Sequence, residues 1–201
     1  MMTGIYLITV FMTISPSKEL NYQVFLGPDP RTLHAWGALD AYEIKENWQI
    51  WRLATSLFLS PGFSVYMVSS GALMIVGFIV ENPLMSPMRM AAFFILSGIC
   101  ANLFSVCVQD EVSVGCLPAV MALISGLLAS VIVNWKALAG AGMLRICLIF
   151  MTIFLFVILL LLSADNYVAN SFYGISLAGE GGGFMSGLCL GLMMMPFARP
   201  N

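Results

Sequence analysis

The chain has 201 residues, of which 60% are hydrophobic and 9% charged, with a formal net charge of −2. A mean hydropathy of +0.96 excludes an ordinary soluble domain, and the near balance of charge gives no footprint for a nucleic-acid partner. The composition is that of a polytopic membrane protein.

Six apolar segments follow one another at approximately 1–15, 57–81, 89–108, 115–134, 143–163 and 176–196. A spanning helix needs about 20 apolar residues, which segments two to six supply. The first is short: at about 1.5 Å per residue it reaches only ~22 Å of a ~30 Å hydrocarbon core. Either it crosses a thinned bilayer, or the sequence starts inside a longer natural chain. Its start carries no basic region of the kind that opens a cleavable signal peptide.

The long polar stretch 16–56 separates segments one and two. It mixes Lys18, Glu19, Asp29, Arg31, Asp40, Glu43, Lys45, Glu46 and Arg52 with Trp36, Trp48 and Trp51. Ser15-Pro16 and Asp29-Pro30 are turn or helix-start signals. The tryptophans suit a structured loop lying in the membrane interface, with short helices of its own. Trp51-Arg52 is expected to anchor that loop against the helices.

Charge placement gives an orientation. With six spans, both termini and the loops after segments two and four share a side, which carries Arg89, Lys136, Arg145 and Arg199. Asp110, Glu111 and Asp165 fall on the other. The positive side is cytoplasmic, or the matrix in mitochondria, so both termini are expected there. Glu81, at the end of segment two, is expected to accept local hydrogen bonds and to have no functional role.

Segment five, from Ile146 to Leu162, is nearly all Leu, Ile, Phe and Val, which predicts a peripheral, lipid-facing helix. Segment six repeats glycine every fourth residue at Gly179, Gly183, Gly187 and Gly191, and segment four has a small face at Gly115, Ala119 and Ala122. Small faces let helix backbones approach closely, so segments four and six are expected to cross in contact. The fifteen methionines are read as lipid-facing or adaptable packing. The five cysteines form no CxxC pair and are read as small packing residues, and His34 in the polar loop is the one histidine. No metal or cofactor is expected.

Several motifs, taken in order, carry a family resemblance. Trp51-Arg52-Leu53, Thr55 to Leu59 and Gly62-Phe63 resemble the lead into the second rhomboid helix, and Gly37 to Asp40 looks like the loop of the eukaryotic secretase-type branch. Gly77 with Glu81, Ser97-Gly98 with Asn102-Leu103, Ser113-Val114-Gly115, and Gly182-Gly183-Phe184 with Ser186-Gly187 are similar to the motifs of the following helices. The resemblance is to the rhomboid intramembrane proteases and covers nearly the whole chain, 1–201, as a single all-α membrane domain of six helices with 16–56 as its first loop.

In an active rhomboid, a Gly-x-Ser-Gly serine on helix four attacks and a histidine on helix six is its base. The resemblance puts Leu117 at the serine, Pro118 at the glycine after it and Glu180 at the histidine. It puts Val65 and Ser69 where a His-xxx-Asn pair supports the oxyanion, and Ser60 at an earlier helix-two histidine. Leucine cannot attack a carbonyl, and valine cannot donate to an oxyanion. Pro118 removes a backbone N–H yet is tolerated near a helix start. No catalytic residue is therefore expected. Cys116 stands beside the lost serine, but one helical position turns a side chain by about 100°, so it is expected to face away from residue 180.

Glu180 admits two readings: a solvated relic high in the helix, which we favour, or a buried carboxyl that pins segment six. For the whole chain three functions stay open. The first is a pseudoprotease that retains, routes or stabilises transmembrane clients, and the second a fixed subunit of a larger membrane complex, for example in an organellar inner membrane. The third, a cryptic hydrolase using Cys116 or Glu180, is disfavoured. The partners expected are the lipid bilayer and other transmembrane proteins or subunits, in a secretory-pathway or mitochondrial inner membrane.

Overall fold

A computed structural model describes residues 30–60, 62–81, 87–110, 112–135, 142–168 and 176–194. The expected first segment, 1–15, and the start of the loop at 16–29 lie outside the described residues. The described chain is helical: α1 (Pro30–Ala35), α2 (Ala41–Asn47), α3 (Arg52–Thr55), a 3₁₀ turn (Ser56–Phe58), α4 (Phe63–Glu81), α5 (Pro87–Val108), α6 (Leu117–Val133), α7 (Gly142–Val168) and α8 (Leu177–Met194). Among the described residues β pairing amounts to one isolated antiparallel bridge, Leu39 to Ser113.

Local chemistry sets the boundaries. Asp40 caps α2 by accepting from the N–H of Tyr42 at 2.9 Å and of Glu43 at 3.5 Å. The apolar segment drawn at approximately 57–81 opens on the 3₁₀ turn, and α4 itself starts at Phe63, after the stretch that resembles the lead into the second helix. Leu59 is extended (φ −88°, ψ 152°) and ends the 3₁₀ turn that precedes α4. Pro118 occupies the first turn of α6, where no intrahelical donor is lost.

The core is organised around α6. Nearly all of its residues are buried, as a helix apolar all round must be. It packs on α4, α5, α7 and α8, most extensively on α8. At 17 residues it is only about 25 Å long. The α6–α8 seam is glycine-made: a Cβ on Gly183 would strike the Pro118 carbonyl oxygen, and one on Gly187 the Ala122 carbonyl oxygen. Segments four and six therefore do cross in contact, backbone against backbone. Segment five behaves as its composition predicts, since α7 exposes Ile146, Phe150, Ile153, Phe154, Val157 and Leu161 and buries Thr152 and Leu155.

Met88–Val108 is long and apolar enough to cross a membrane, while Val65–Gly77, Leu117–Val133 and Arg145–Ile158 are shorter apolar helices. Glu81 is the last residue of α4.

Residues 30–60 fold into a plate over the start of α6. Arg52, expected with Trp51 to anchor the loop, is a buried hub with 5% exposure. Its Nη1 donates to the carbonyls of His34 (2.9 Å) and Ala38 (3.0 Å), and its Nε to Gln49 Oε1 (2.6 Å). Trp51 stays half exposed and covers Gly37, whose φ of +101° and lack of a Cβ let the ring close in. Asn102 of α5 donates to the Leu53 carbonyl (2.8 Å) and Ser56 Oγ (2.9 Å), which ties the plate to the bundle. Leu39 and Ser113 exchange two backbone hydrogen bonds of 2.9 Å.

Candidate functional site

The stretch Val114 to Pro118 enters α6 beneath that plate. Gly115 adopts φ +138°, a backbone region that favours glycine, and its N–H donates to the Ser56 carbonyl at 3.3 Å. Cys116 is the N-cap of α6, and Leu117 and Pro118 form its first turn.

Each sequence-derived position can now be placed. Leu117 is buried with 2% exposure in one apolar cluster with Cys116 and with Val65 of α4. Ser69, also buried, donates to the carbonyls of Val65 (2.5 Å) and Tyr66 (3.2 Å) in its own helix. Cys116, at 1% exposure, lies in the same apolar cluster as Val65 of α4, with its thiol near that hydroxyl. Ser60 donates to the Gly62 carbonyl at 3.0 Å. Pro118 lies against Gly179 and Gly183 of α8. Gly191 completes the seam, where an added Cβ would come within 2.7 Å of the Ala129 methyl.

Glu180 requires a correction. The favoured expectation was a hydrated relic, but Glu180 is buried with 2% exposure. The reason lies in its neighbours: Gly179 and Gly183 draw the first turns of α8 onto Pro118, and the residue between them is carried inward.

A nucleophile needs a base within hydrogen-bond reach, and the hydroxyls of Ser60 and Ser69 are given to backbone carbonyls. His34 is engaged elsewhere, its Nε2 at 3.1 Å from Asp40 Oδ2 in the plate. Among the described residues no three His, Cys, Asp or Glu side chains gather as a metal site would require. A small cavity, about 10 Å³ for the centre of a water molecule, lies on the plate side of Pro118 between Ser56, Asn102, Ser113 and Ser176. Leu117, Val65, Ser69 and Glu180 do not line it.

One polar hub escaped the sequence reading. Ser176 caps α8 by accepting from the Gly179 N–H (2.9 Å), and it bonds Ser105 Oγ (2.6 Å) and Gln109 Oε1 (2.9 Å) of the α5 end. A serine three residues before the glycines at the head of an apolar run was the available signal.

A helical bundle with a buried central helix, seamed by glycines to its last helix and roofed by a folded loop, belongs to the class of integral membrane proteins built like intramembrane proteases. Comparison with known families agrees, since the Rhomboid domain matches residues 47–197. The chain belongs to the rhomboid family. It is 33% identical over 120 residues to "Inactive RHOMBOID-like protein 8" of Arabidopsis thaliana, covering 59% of this chain and 34% of that one. Against "RHOMBOID-like protein 5" it is 29% identical over 188 residues, 92% of this chain and 55% of the relative. Against "RHOMBOID-like protein 6, mitochondrial", from the same plant, it is 27% identical over 179 residues, 89% and 54% respectively. The chain thus spans between a third and about half the length of these curated relatives. No solved structure matches it.

Proposed function

We propose that this chain is a rhomboid pseudoprotease that binds or scaffolds transmembrane segments of other membrane proteins without cutting them. One observation carries the reading. The positions that resemble the nucleophile and the oxyanion support, Leu117 and Val65, are packed together in the apolar core at 2% and 8% exposure. A hydrolase centre must admit water and a scissile carbonyl, and a filled apolar core admits neither. That a relative bears the name "Inactive RHOMBOID-like protein 8" is in keeping with this.

The expected outcome with purified protein is no cleavage of generic rhomboid substrates and no labelling by a fluorophosphonate probe above a heat-denatured control. The double variant Leu117→Ser with Glu180→His is expected to stay inactive as well. Pro118, Val65 and Ser69 would still withhold oxyanion support, and catalytic groups that act as a unit do not recover singly. Labelling of the parent protein would overturn the reading. Turnover by the double variant would show the old centre still preorganised.

The same proposal includes six spans with both termini on the cytoplasmic or matrix side. Arg89, Lys136, Arg145 and Arg199 against Asp110, Glu111 and Asp165 support that orientation. Cysteines introduced at Asp110 and at Leu138 should label from opposite sides of a sealed membrane. Labelling from one side refutes the topology. Migration on a native gel separates the client-binding reading from that of a fixed subunit, which would run only at the mass of a complex.

A further inference from the structure

The end of α6 and the start of α7 bring a cation onto an aromatic ring, away from the old centre. Trp135 stands just beyond the Asn134 cap of α6, and Arg145 lies in the opening turns of α7. The guanidinium carbon of Arg145 is 3.9 Å from the centroid of the Trp135 ring. Trp135 is half exposed and Arg145 partly buried. The described ion pairs, His34 with Asp40 and Lys45 with Asp110, lie at the other end of the bundle. Arg145 forms no described ion pair, and the first turns of α5 and α7 contain no acid. Glu81, ending α4, is the acid that the chain order places at this end, and Arg89 stands exposed there as a further cation.

Stacking engages the face of a guanidinium and leaves the five in-plane N–H groups directed outward. Ring contact also removes water from one face and fixes the plane. An oriented fork of donors matches two oxygens of a phosphate better than a lysine point charge would. An indole at a helix end sits at headgroup depth in a bilayer, so the donors are held where lipid phosphates lie. We propose that Arg145, oriented by Trp135, binds the phosphate of an anionic phospholipid headgroup in the leaflet that meets the α6–α7 end. Free phosphate shares the same chemistry, and the test separates the two.

The whole chain, reconstituted in bilayer discs of phosphatidylcholine with and without phosphatidylglycerol, is released into a native mass spectrometer and its retained lipids counted. The parent protein should retain phosphatidylglycerol in preference to phosphatidylcholine. Arg145→Gln should cut that preference about fivefold, the worth of one cation near a membrane surface. Arg145→Lys and Trp135→Leu, which each keep a charge but lose the oriented fork, should fall between, and they carry the test if Arg145→Gln fails to fold. Undiminished preference in all three variants overturns the proposal. So does a loss of thermal stability equal in neutral and anionic bilayers with the preference kept, since the pair then only staples α6 to α7. Stabilisation in phosphatidylcholine by inorganic phosphate as strong as that by phosphatidylglycerol overturns the lipid assignment.

Discussion

Alanine in place of Gly183 or Gly187 will cost this protein most or all of its folded population in detergent. A single added methyl at Gly183 is aimed at the Pro118 carbonyl oxygen, and at Gly187 at the Ala122 carbonyl oxygen and Ser125 Oγ. The two carbonyl oxygens are backbone and cannot swing aside as a flexible side chain could. To make room, the α6 backbone must retreat, and α6 is held at once by α4, α5, α7 and α8. Overpacking costs about 1–3 kcal/mol where side chains can adjust, and backbone collision belongs at or above the top of that range. Gly191→Ala should cost less, because its obstacles are the Ala129 methyl at 2.7 Å and the Gly126 Cα at 3.1 Å. Gly71→Ala and Gly181→Ala meet nothing within 4 Å and should be neutral or slightly stabilising. Thermal unfolding of the five variants should therefore rank Gly183 and Gly187 lowest and Gly71 and Gly181 highest. A Gly183→Ala protein that melts with the parent would show that α6 and α8 do not meet as described.

That seam was legible because it is written in a period. Glycine every fourth residue has few structural meanings in an apolar segment, and close helix approach is the foremost. The apolar uniformity of α7 was legible for a similar reason. What the sequence withheld depends on partners without a sequence signature. Arg52 has the same letters whether it faces headgroups or two backbone carbonyls, and those of His34 and Ala38 become acceptors only once Gly37 turns the chain. Glu180 was misplaced because its position depends on how far α8 sinks onto Pro118, a distance that four glycines permit but do not announce. Ser176 joins partners 67 and 71 residues away, beyond the reach of a capping rule. The centrality of α6 is likewise a property of the assembled bundle: its small face predicts one neighbour, and the structure gives it four.

Replacing Arg52 with methionine should release the plate of residues 30–60 while sparing the helices beneath it. Methionine keeps much of the apolar stem and so isolates the guanidinium. Three hydrogen bonds of 2.6–3.0 Å disappear, and two of their acceptors are backbone carbonyls, that of His34 in the last turn of α1 and that of Ala38 in the turn that follows. The His34 carbonyl keeps the Gly37 N–H as a donor, whereas the buried Ala38 carbonyl loses its side-chain partner, so a loss of about 1–3 kcal/mol is expected for the plate. Arg52→Lys retains the charge but cannot reach both carbonyls and Gln49 with one ammonium, and should lie between. The exposed Lys45–Asp110 pair, also a link from the plate to the α5 end, gives the contrast. At 2.7 Å it is within the range of the Arg52 contacts, yet its side chains are 47% and 87% exposed, so Lys45→Ala should cost no more than about 1 kcal/mol. Limited proteolysis at fixed temperature reads the difference, because a released plate offers new cleavage sites between residues 30 and 60 before the bundle melts. Arg52→Met should be cut many times faster than the parent, and Lys45→Ala at nearly the parental rate. If Arg52→Met resists as the parent does, the plate is held by the apolar contacts of Leu33, Leu39, Leu53 and Leu59, and the buried guanidinium is dispensable to it.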